Sequence, residues 1–264
     1  MKIGFIGLGN MARAMIGGMI TKQIASKEDI AGADKMQAAA EDVKKQWGIK
    51  TCTDNAQVAG DADVLVLAVK PQFLSQAISE MKDAVKENTL IISIAAGKKI
   101  QEIEELFGKE IKLVRCMPNT PALVGAGCSG LCRNGNVSDE EMKQCMTIME
   151  SFGIAQEVPE NLMDAVTGVS GSSPAFVFLF MEAMADGAVA AGMPRSQAYT
   201  FAAQAVMGSA KLMLESGKHP GELKDMVCSP GGTTIEGVRV LEENAFRGIV
   251  ADAVLAAVDK SKNM

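Results

Sequence analysis

The chain opens on Lys2-Ile3-Gly4-Phe5-Ile6-Gly7-Leu8-Gly9-Asn10-Met11-Ala12, and this stretch decides how its first half is read. Residues 2–6 form a short apolar run that reads as a strand, and residues 11–21 carry a helical pattern. Between them stands a G-x-G-x-x-A turn. Gly7 permits a tight turn, Gly9 lets the backbone approach a bound group, and Ala12 is small enough for the helix to pack against the strand. The first N–H groups of a helix have no partner within it and are free to meet an anion. Glycines alone would mean only a turn. In the order strand, turn, helix they predict a site for the pyrophosphate of a dinucleotide.

Further along, the same alternation repeats. Residues 29–33 read as a second strand, followed by a charged helix through Gln46, and residues 49–52 read as a third strand. Val64-Leu65-Val66-Leu67-Ala68 and Leu90-Ile91-Ile92-Ser93-Ile94 are nearly continuous apolar runs, as expected of strands buried on both faces of a parallel sheet. Residues 112–117 read as a sixth strand, and Cys128 and Cys132 flank another strand-like segment. Strand and helix in alternation imply right-handed βαβ units and a doubly wound sheet. After about Glu157 the strand-like runs stop, and helical patterns follow at 174–191, 195–215, 233–241 and 246–260. The first of these is apolar nearly all round, so it is expected to be buried on every side, in a core or a subunit interface. The reading is an α/β chain: a Rossmann-type doubly wound domain at 1–161 and an all-α domain at 162–264.

Bulk properties narrow the function. The chain has 264 residues, enough for one large domain or two modest ones. Its formal net charge is -6 and it has no basic block, which argues against nucleic acid as a partner. Six scattered cysteines in a chain of this length read as free thiols in a reducing cytoplasm, and they complete no metal set. Gly4, Gly7, Gly9, Asn10 and Arg13 interrupt the apolar N-terminus, so it reads as folded structure and not as a targeting segment. No charge-free apolar stretch reaches spanning length, so no membrane partner is expected. The 18 methionines read as flexible core filling.

Candidate site residues gather at the carboxyl ends of the strands, where open α/β sheets bind ligands. Asp34 and Lys35 follow the second strand. An acid there suits the ribose 2′-hydroxyl of NAD, and a lysine suits the 2′-phosphate of NADP, so both cofactors stay open. Ala68-Val69-Lys70-Pro71 and Ala95-Ala96-Gly97 are small-residue turns with room for ribose and nicotinamide, and Lys70 is placed to reach a phosphate or the substrate. Asn55 opens a short helix near the same edge, where it also suits an N-cap. Asn119 lies in the rigid loop Arg115-Cys116-Met117-Pro118-Asn119-Thr120-Pro121 and offers hydrogen bonds to nicotinamide or substrate. Ser229-Pro230-Gly231-Gly232-Thr233-Thr234 precedes a helical pattern, so its backbone N–H groups suit a substrate carboxylate. Val169-Ser170-Gly171-Ser172-Ser173-Pro174 is a similar serine-rich lead into a helix. His219, the only histidine, precedes Pro220 and reads as part of a turn. A chain without a catalytic histidine suits a reaction that needs little acid catalysis.

Together these motifs resemble the pyrroline-5-carboxylate reductases over nearly the whole length. The resemblance rests on the glycine turn, the 68–71 and 95–97 turns, the 115–121 loop, and the stretches 164–177, 186–195 and 219–242. The last of these is the most specific. The resemblance implies that Gly7, Gly9, Asn10 and Met11 line the cofactor pyrophosphate. It implies that Asn55, Ala68, Lys70, Ala95, Ala96 and Gly97 contact the ribose and nicotinamide end. It also implies that Gly231, Gly232, Thr233 and Thr234 cradle the substrate carboxylate, with the Thr234 hydroxyl bonded to the ring nitrogen. The implied reaction reduces pyrroline-5-carboxylate to proline with NADH or NADPH, and the implied assembly is a homodimer built into a larger ring. Where the family often has Ser-Asn-Arg, this chain has Ala33-Asp34-Lys35. Two other readings compete. A 3-hydroxy-acid dehydrogenase of the 6-phosphogluconate-dehydrogenase-like type shares the opening of residues 3–11, but it needs a lysine on the long helix, and residues 174–191 have none. A nucleotide-sensing protein without turnover is the other.

Overall fold

A strand that is apolar on both faces must be covered on both faces, and the first half of the chain is organised by that need. In the computed structural model, which describes residues 1–263, the first half forms an eight-stranded sheet. In chain order its elements are β1 (Ile3–Ile6), α1 (Asn10–Thr21), β2 (Ile30–Ala33), α2 (Gln37–Trp47), β3 (Lys50–Cys52), α3 (Asn55–Asp61), β4 (Val64–Leu67), α4 (Leu74–Met81), β5 (Leu90–Ser93), α5 (Ile100–Phe107), β6 (Lys112–Met117), β7 (Gly127–Arg133), α6 (Asp139–Glu150) and β8 (Gly153–Glu157). The strand order is β3-β2-β1-β4-β5-β6-β7-β8. The first six strands run parallel, β7 turns back antiparallel to β6, and β8 runs parallel to β7. Ile3 sits between Ile30 and Val64, so the chain reverses its direction of growth across the sheet on either side of β1.

Alternate residues of the central strands feed two cores. Phe5, Val66, Ile92 and Val114 face a cluster with Met15, Ile16, Val43 and Ile148 of α1, α2 and α6. Ile6, Leu65, Leu67, Ile91 and Leu113 face the opposite cluster with Val58, Ile78 and Ile103 of α3, α4 and α5. The six expected strands are β1 to β6, and the cysteine-flanked segment is β7. The edge strand β8 has no counterpart in the sequence reading, because Gly-Ile-Ala-Gln-Glu is neither an apolar run nor a regular alternation.

After the short helix α7 (Met163–Val166), residues Thr167–Ser172 form a π-helix, and α8 (Ser173–Ala190), α9 (Arg195–Ser216), α10 (Pro220–Val227), α11 (Thr233–Glu243) and α12 (Phe246–Lys262) complete the chain. His219 sits in the short connection between α9 and α10, as its sequence suggests. Its Nδ1 accepts from the Gly221 N–H at 3.1 Å and caps α10, whose first residue is Pro220. The chain divides into two units. The first holds residues up to Ser172 and the stretch from Ala257 onward, and the second runs from Ser173 to Ala256. The first unit thus extends past the boundary expected at 161. Asn119 Nδ2 donates to the Ser170 carbonyl and hydroxyl, and Ser261 Oγ donates to Asp164 Oδ1 at 2.7 Å, which holds both ends of that extension.

Within the second unit α8 packs along α9, Arg195 pairs with Asp186 at 2.5 Å, and the Phe180 and Phe246 rings lie 6.0 Å apart. The α8 helix is not a core helix of this chain. Of its residues only Ala185 is buried, while Phe178 and Leu179 are 64% and 67% exposed. The helical run Glu160–Ala190 is long and apolar enough to cross a membrane by length and composition.

All six cysteines are free. Burial pushes the Cys116 thiol far up and raises Cys132 and Cys145 to about 12. A thiolate is the reactive form, so these three should stay unmodified by an excess of a disulfide reagent at pH 8 until the protein is unfolded. Native thiol counting by mass spectrometry checks this; rapid labelling of Cys145 in folded protein would contradict the packing described.

Candidate active site

The glycine turn is clamped on three sides. Gly7 N–H donates to the Ala33 carbonyl at 2.8 Å, which ties the turn to the end of β2. Leu8 N–H donates to Asp34 Oδ2 at 2.8 Å, and the Leu8 carbonyl accepts from Arg13 Nε at 3.1 Å. The Leu8 side chain is fully buried and fills the space beside Gly32. On the other flank Gly7 has φ +93°, and a Cβ there would stand 2.7 Å from the Ala68 carbonyl oxygen, so only glycine fits. Gly9 caps α1 without any side-chain cap, and a Cβ there would meet nothing within 4 Å. Open space lies in front of the free N–H groups of a twelve-residue helix. That cradle fits a dinucleotide pyrophosphate.

A cleft of about 410 Å³ runs from this turn along the carboxyl edge of the sheet, between β1 and β4. This is the switch point of the strand order, where doubly wound sheets bind nucleotides. Eight residues singled out in the sequence line it: Gly7, Gly9, Asp34, Lys35, Asn55, Ala68, Val69 and Lys70. Asn10 and Met11 begin α1 beside it, and Pro71 follows Lys70. Ala95, Ala96 and Gly97 continue from β5, the next strand of the same edge, where Ile94 N–H donates to the Leu67 carbonyl at 3.1 Å. Met36, Phe73, Gln76 and Ala77 also line the cleft and were not foreseen. Met36 and Phe73 are largely exposed apolar side chains, and an apolar residue out of helical register beside a turn is the signal that points to them.

Polar groups in the cleft are heavily engaged. Asp34 accepts from Leu8 N–H through Oδ2 and from Met36 N–H through Oδ1 at 2.9 Å, so its carboxylate is part of the turn. Lys35 Nζ lies 2.5 Å from Glu80 Oε1, and Asn55 Nδ2 donates to Glu80 Oε2 at 2.8 Å. The Lys35 ammonium holds the Glu80 carboxyl below the usual carboxylate range. Glu80 on α4 was not foreseen. It lies 45 residues from Lys35, and only the fold brings them together. Asn55 is not an N-cap; Asp54 caps α3 by accepting from Ala56 and Gln57 N–H, and Asn55 is buried as its first residue.

Asn119 is placed differently from its expected role at nicotinamide or substrate. Its Nδ2 donates to Ser170, and its Oδ1 accepts from Cys128 N–H at 2.8 Å, so the whole amide joins the π-helix to β7. In the second unit, Gly231 has φ +68°, Gly232 N–H donates to the Ser229 carbonyl at 3.0 Å, and Gly232 caps α11 without a side-chain cap. Among the described residues the Thr233 and Thr234 hydroxyls make no hydrogen bond. Helix N–H groups and two hydroxyls are thus available together, which is the chemistry a carboxylate calls for.

Fold and turn together define a Rossmann-type, dinucleotide-binding oxidoreductase, and comparison with known proteins agrees. Residues 2–97 match the family described as NADP oxidoreductase, coenzyme F420-dependent, and residues 160–264 match pyrroline-5-carboxylate reductase dimerisation. The chain is 47% identical over 267 residues to the pyrroline-5-carboxylate reductase of Escherichia coli (strain K12), covering 100% of this chain and 98% of that protein. It superimposes on the pyrroline-5-carboxylate reductase of Coxiella burnetii with a TM-score of 0.93 at 36% identity, over 99% of this chain and 97% of that one. The Plasmodium falciparum pyrroline carboxylate reductase, solved with NADP bound, gives 0.89 at 36% identity over 99% and 97%. The chain belongs to the pyrroline-5-carboxylate reductase family, and the hydroxy-acid dehydrogenase reading is set aside.

Asp34→Ala strands the Leu8 N–H in a part-buried place. Loss of that acceptor should cost about 1–3 kcal/mol of stability, measured by urea denaturation. An unchanged midpoint would mean that the turn holds without its carboxylate.

Proposed function

We propose that this chain reduces L-1-pyrroline-5-carboxylate to L-proline with NADH or NADPH, the last step of proline biosynthesis. The observation that carries the reading is the clamped glycine turn at the open start of α1, in a chain that belongs to this family along its whole length. Bound NAD(P)H supplies the hydride. Gly9, Asn10 and Met11 offer backbone N–H groups to its pyrophosphate, and Gly7 and Gly9 leave it space. Asp34 and Lys35 stand at the ribose of the adenosine half, with Asn55 beside them through the shared Glu80, in place of the nicotinamide end that the resemblance implies. Ala68, Val69, Lys70, Pro71, Ala95, Ala96 and Gly97 provide small walls along the strand ends toward the nicotinamide half.

On the substrate side, Ser229, Gly231, Gly232 and Thr233 hold the carboxylate at the start of α11, and the Thr234 hydroxyl bonds the ring nitrogen. A cyclic imine nitrogen is basic enough to arrive protonated, so Thr234 accepts from its N–H and fixes its orientation; no strong acid is required. The carbon of the C=N bond takes the hydride, and the nitrogen keeps its proton as an amine. Positioning and electrostatic support are what the chain contributes. Asn119 acts at one remove, by fixing the π-helix against β7. In this reading residues 1–161 serve the cofactor, and residues 162–264 serve substrate and dimerisation.

The exposed apolar faces of α8 and α9 are covered by a second copy, and dimers stack into a larger ring. The enzyme works in the cytoplasm, without a membrane or nucleic-acid partner. Light scattering should give a mass above that of one dimer, and Leu179→Glu should shift it to 27.8 kDa monomers. A wild-type monomer would overturn the assembly.

Purified protein mixed with pyrroline-5-carboxylate and NADH or NADPH should oxidise the reduced nicotinamide, followed by its absorbance. No oxidation with either cofactor would overturn the activity and leave a nucleotide sensor. Thr234→Ala should lower kcat/KM by the equivalent of about 1–3 kcal/mol, a lost hydrogen bond to a charged group. Unchanged kinetics would remove Thr234 from the mechanism.

A further inference from the structure

The polar end of the cleft holds one feature that cofactor binding in general does not require. Of the two lysines that line the cleft, Lys70 follows β4, and Lys35, next to Asp34, is paired with Glu80 at 2.5 Å. The other Glu80 oxygen holds Asn55 Nδ2 at 2.8 Å, and Asn55 lines the same cleft. Glu80 thus grips two cleft residues and neutralises the one that suits a 2′-phosphate. Asp34 adds a second carboxylate on the same side, and its oxygens already accept from Leu8 and Met36. A ribose that ends in two hydroxyls meets acceptors here. A 2′-phosphate carries about -1.5 to -2 charges near neutral pH and meets two carboxylates and a lysine already engaged.

Building on the cofactor reading above, we propose that Glu80 is a specificity-determining residue that lowers the affinity of this cleft for a 2′-phosphorylated dinucleotide by holding Lys35. The pair is exposed enough to open, with side chains 52% and 35% accessible, so Glu80 sets a graded preference and not a block. NADPH binds by drawing Lys35 away from Glu80. NADH binds with the pair intact. Glu80 does not touch the reacting atoms, and it acts through Lys35 and Asn55.

The test is calorimetric titration of the full-length protein with NADPH and with NADH, without substrate. Glu80→Gln keeps a group able to meet Asn55 and removes the charge. It should tighten NADPH by about fivefold, the scale of one exposed charge contact, and shift NADH by less than about twofold. Glu80→Asp keeps the charge and should leave the ratio near that of the wild type. Lys35→Ala, which leaves Glu80 without its counter-ion, should weaken NADPH and spare NADH. Equal shifts for both cofactors in Glu80→Gln, or an unchanged ratio, would overturn the assignment of Glu80 while leaving the cofactor reading intact. Failure of the wild type to bind either dinucleotide would overturn both.

Discussion

The hydrogen bond from the Leu8 N–H to the Asp34 carboxylate is the contact on which the nucleotide end of the molecule depends. It joins groups 26 residues apart, and it exists because β1 and β2 are parallel neighbours in a register that sets Ile6 beside Ala33. On the other flank, β4 brings the Ala68 carbonyl so close to Gly7 that no side chain fits between them. The turn is therefore pinned to both neighbouring strands, and Arg13 holds it from the helix that follows. A loop fixed in this way has little conformational entropy left to lose when an anion arrives, which is how preorganisation raises affinity.

Much of the first unit was legible because its signals are local. Nearly continuous apolar runs at Val64–Leu67 and Leu90–Ser93 mark doubly covered strands, and a glycine turn between strand and helix marks the cofactor edge. Three things were not legible, each for a physical reason. The edge strand β8 packs through glycine and backbone, without an apolar signature of its own. Glu80 reads as one more acid on a surface helix until α4 is laid beside Lys35 and Asn55. Asn119 in a rigid proline loop looks free for a ligand, and its amide is in fact used up between Ser170 and Cys128. Hydrogen-bond partners far apart in sequence leave no periodic trace, so polar residues are harder to place than apolar ones.

The second unit inverts the usual relation between composition and burial. Its helix α8 is as apolar as a core, yet Phe178 and Leu179 of α8, with Phe201 and Leu214 of α9, stand open to solvent in the single chain. Alone, that surface would aggregate or recruit a partner. If a second copy covers it, as proposed above, the folding of this unit and its association become a single event, and apparent stability then rises with protein concentration. The patch at Ser229 to Thr234 shares this unit, so in the proposed dimer its hydroxyls would be presented by helices that association helps to hold.

The C-terminal stretch returns to the first unit, where Ser261 meets Asp164. The helical unit is thus an insertion with two covalent junctions, and not a tail. Cutting one junction leaves the other intact, so a single nick near Ser172 separates nothing. Transplanting the nucleotide-binding half onto another scaffold would need two splices, and a fragment that simply stops at Ser172 would leave the Asp164 carboxylate facing a gap where the last helix belongs. Exchange of this half is therefore constrained at both ends of the insertion.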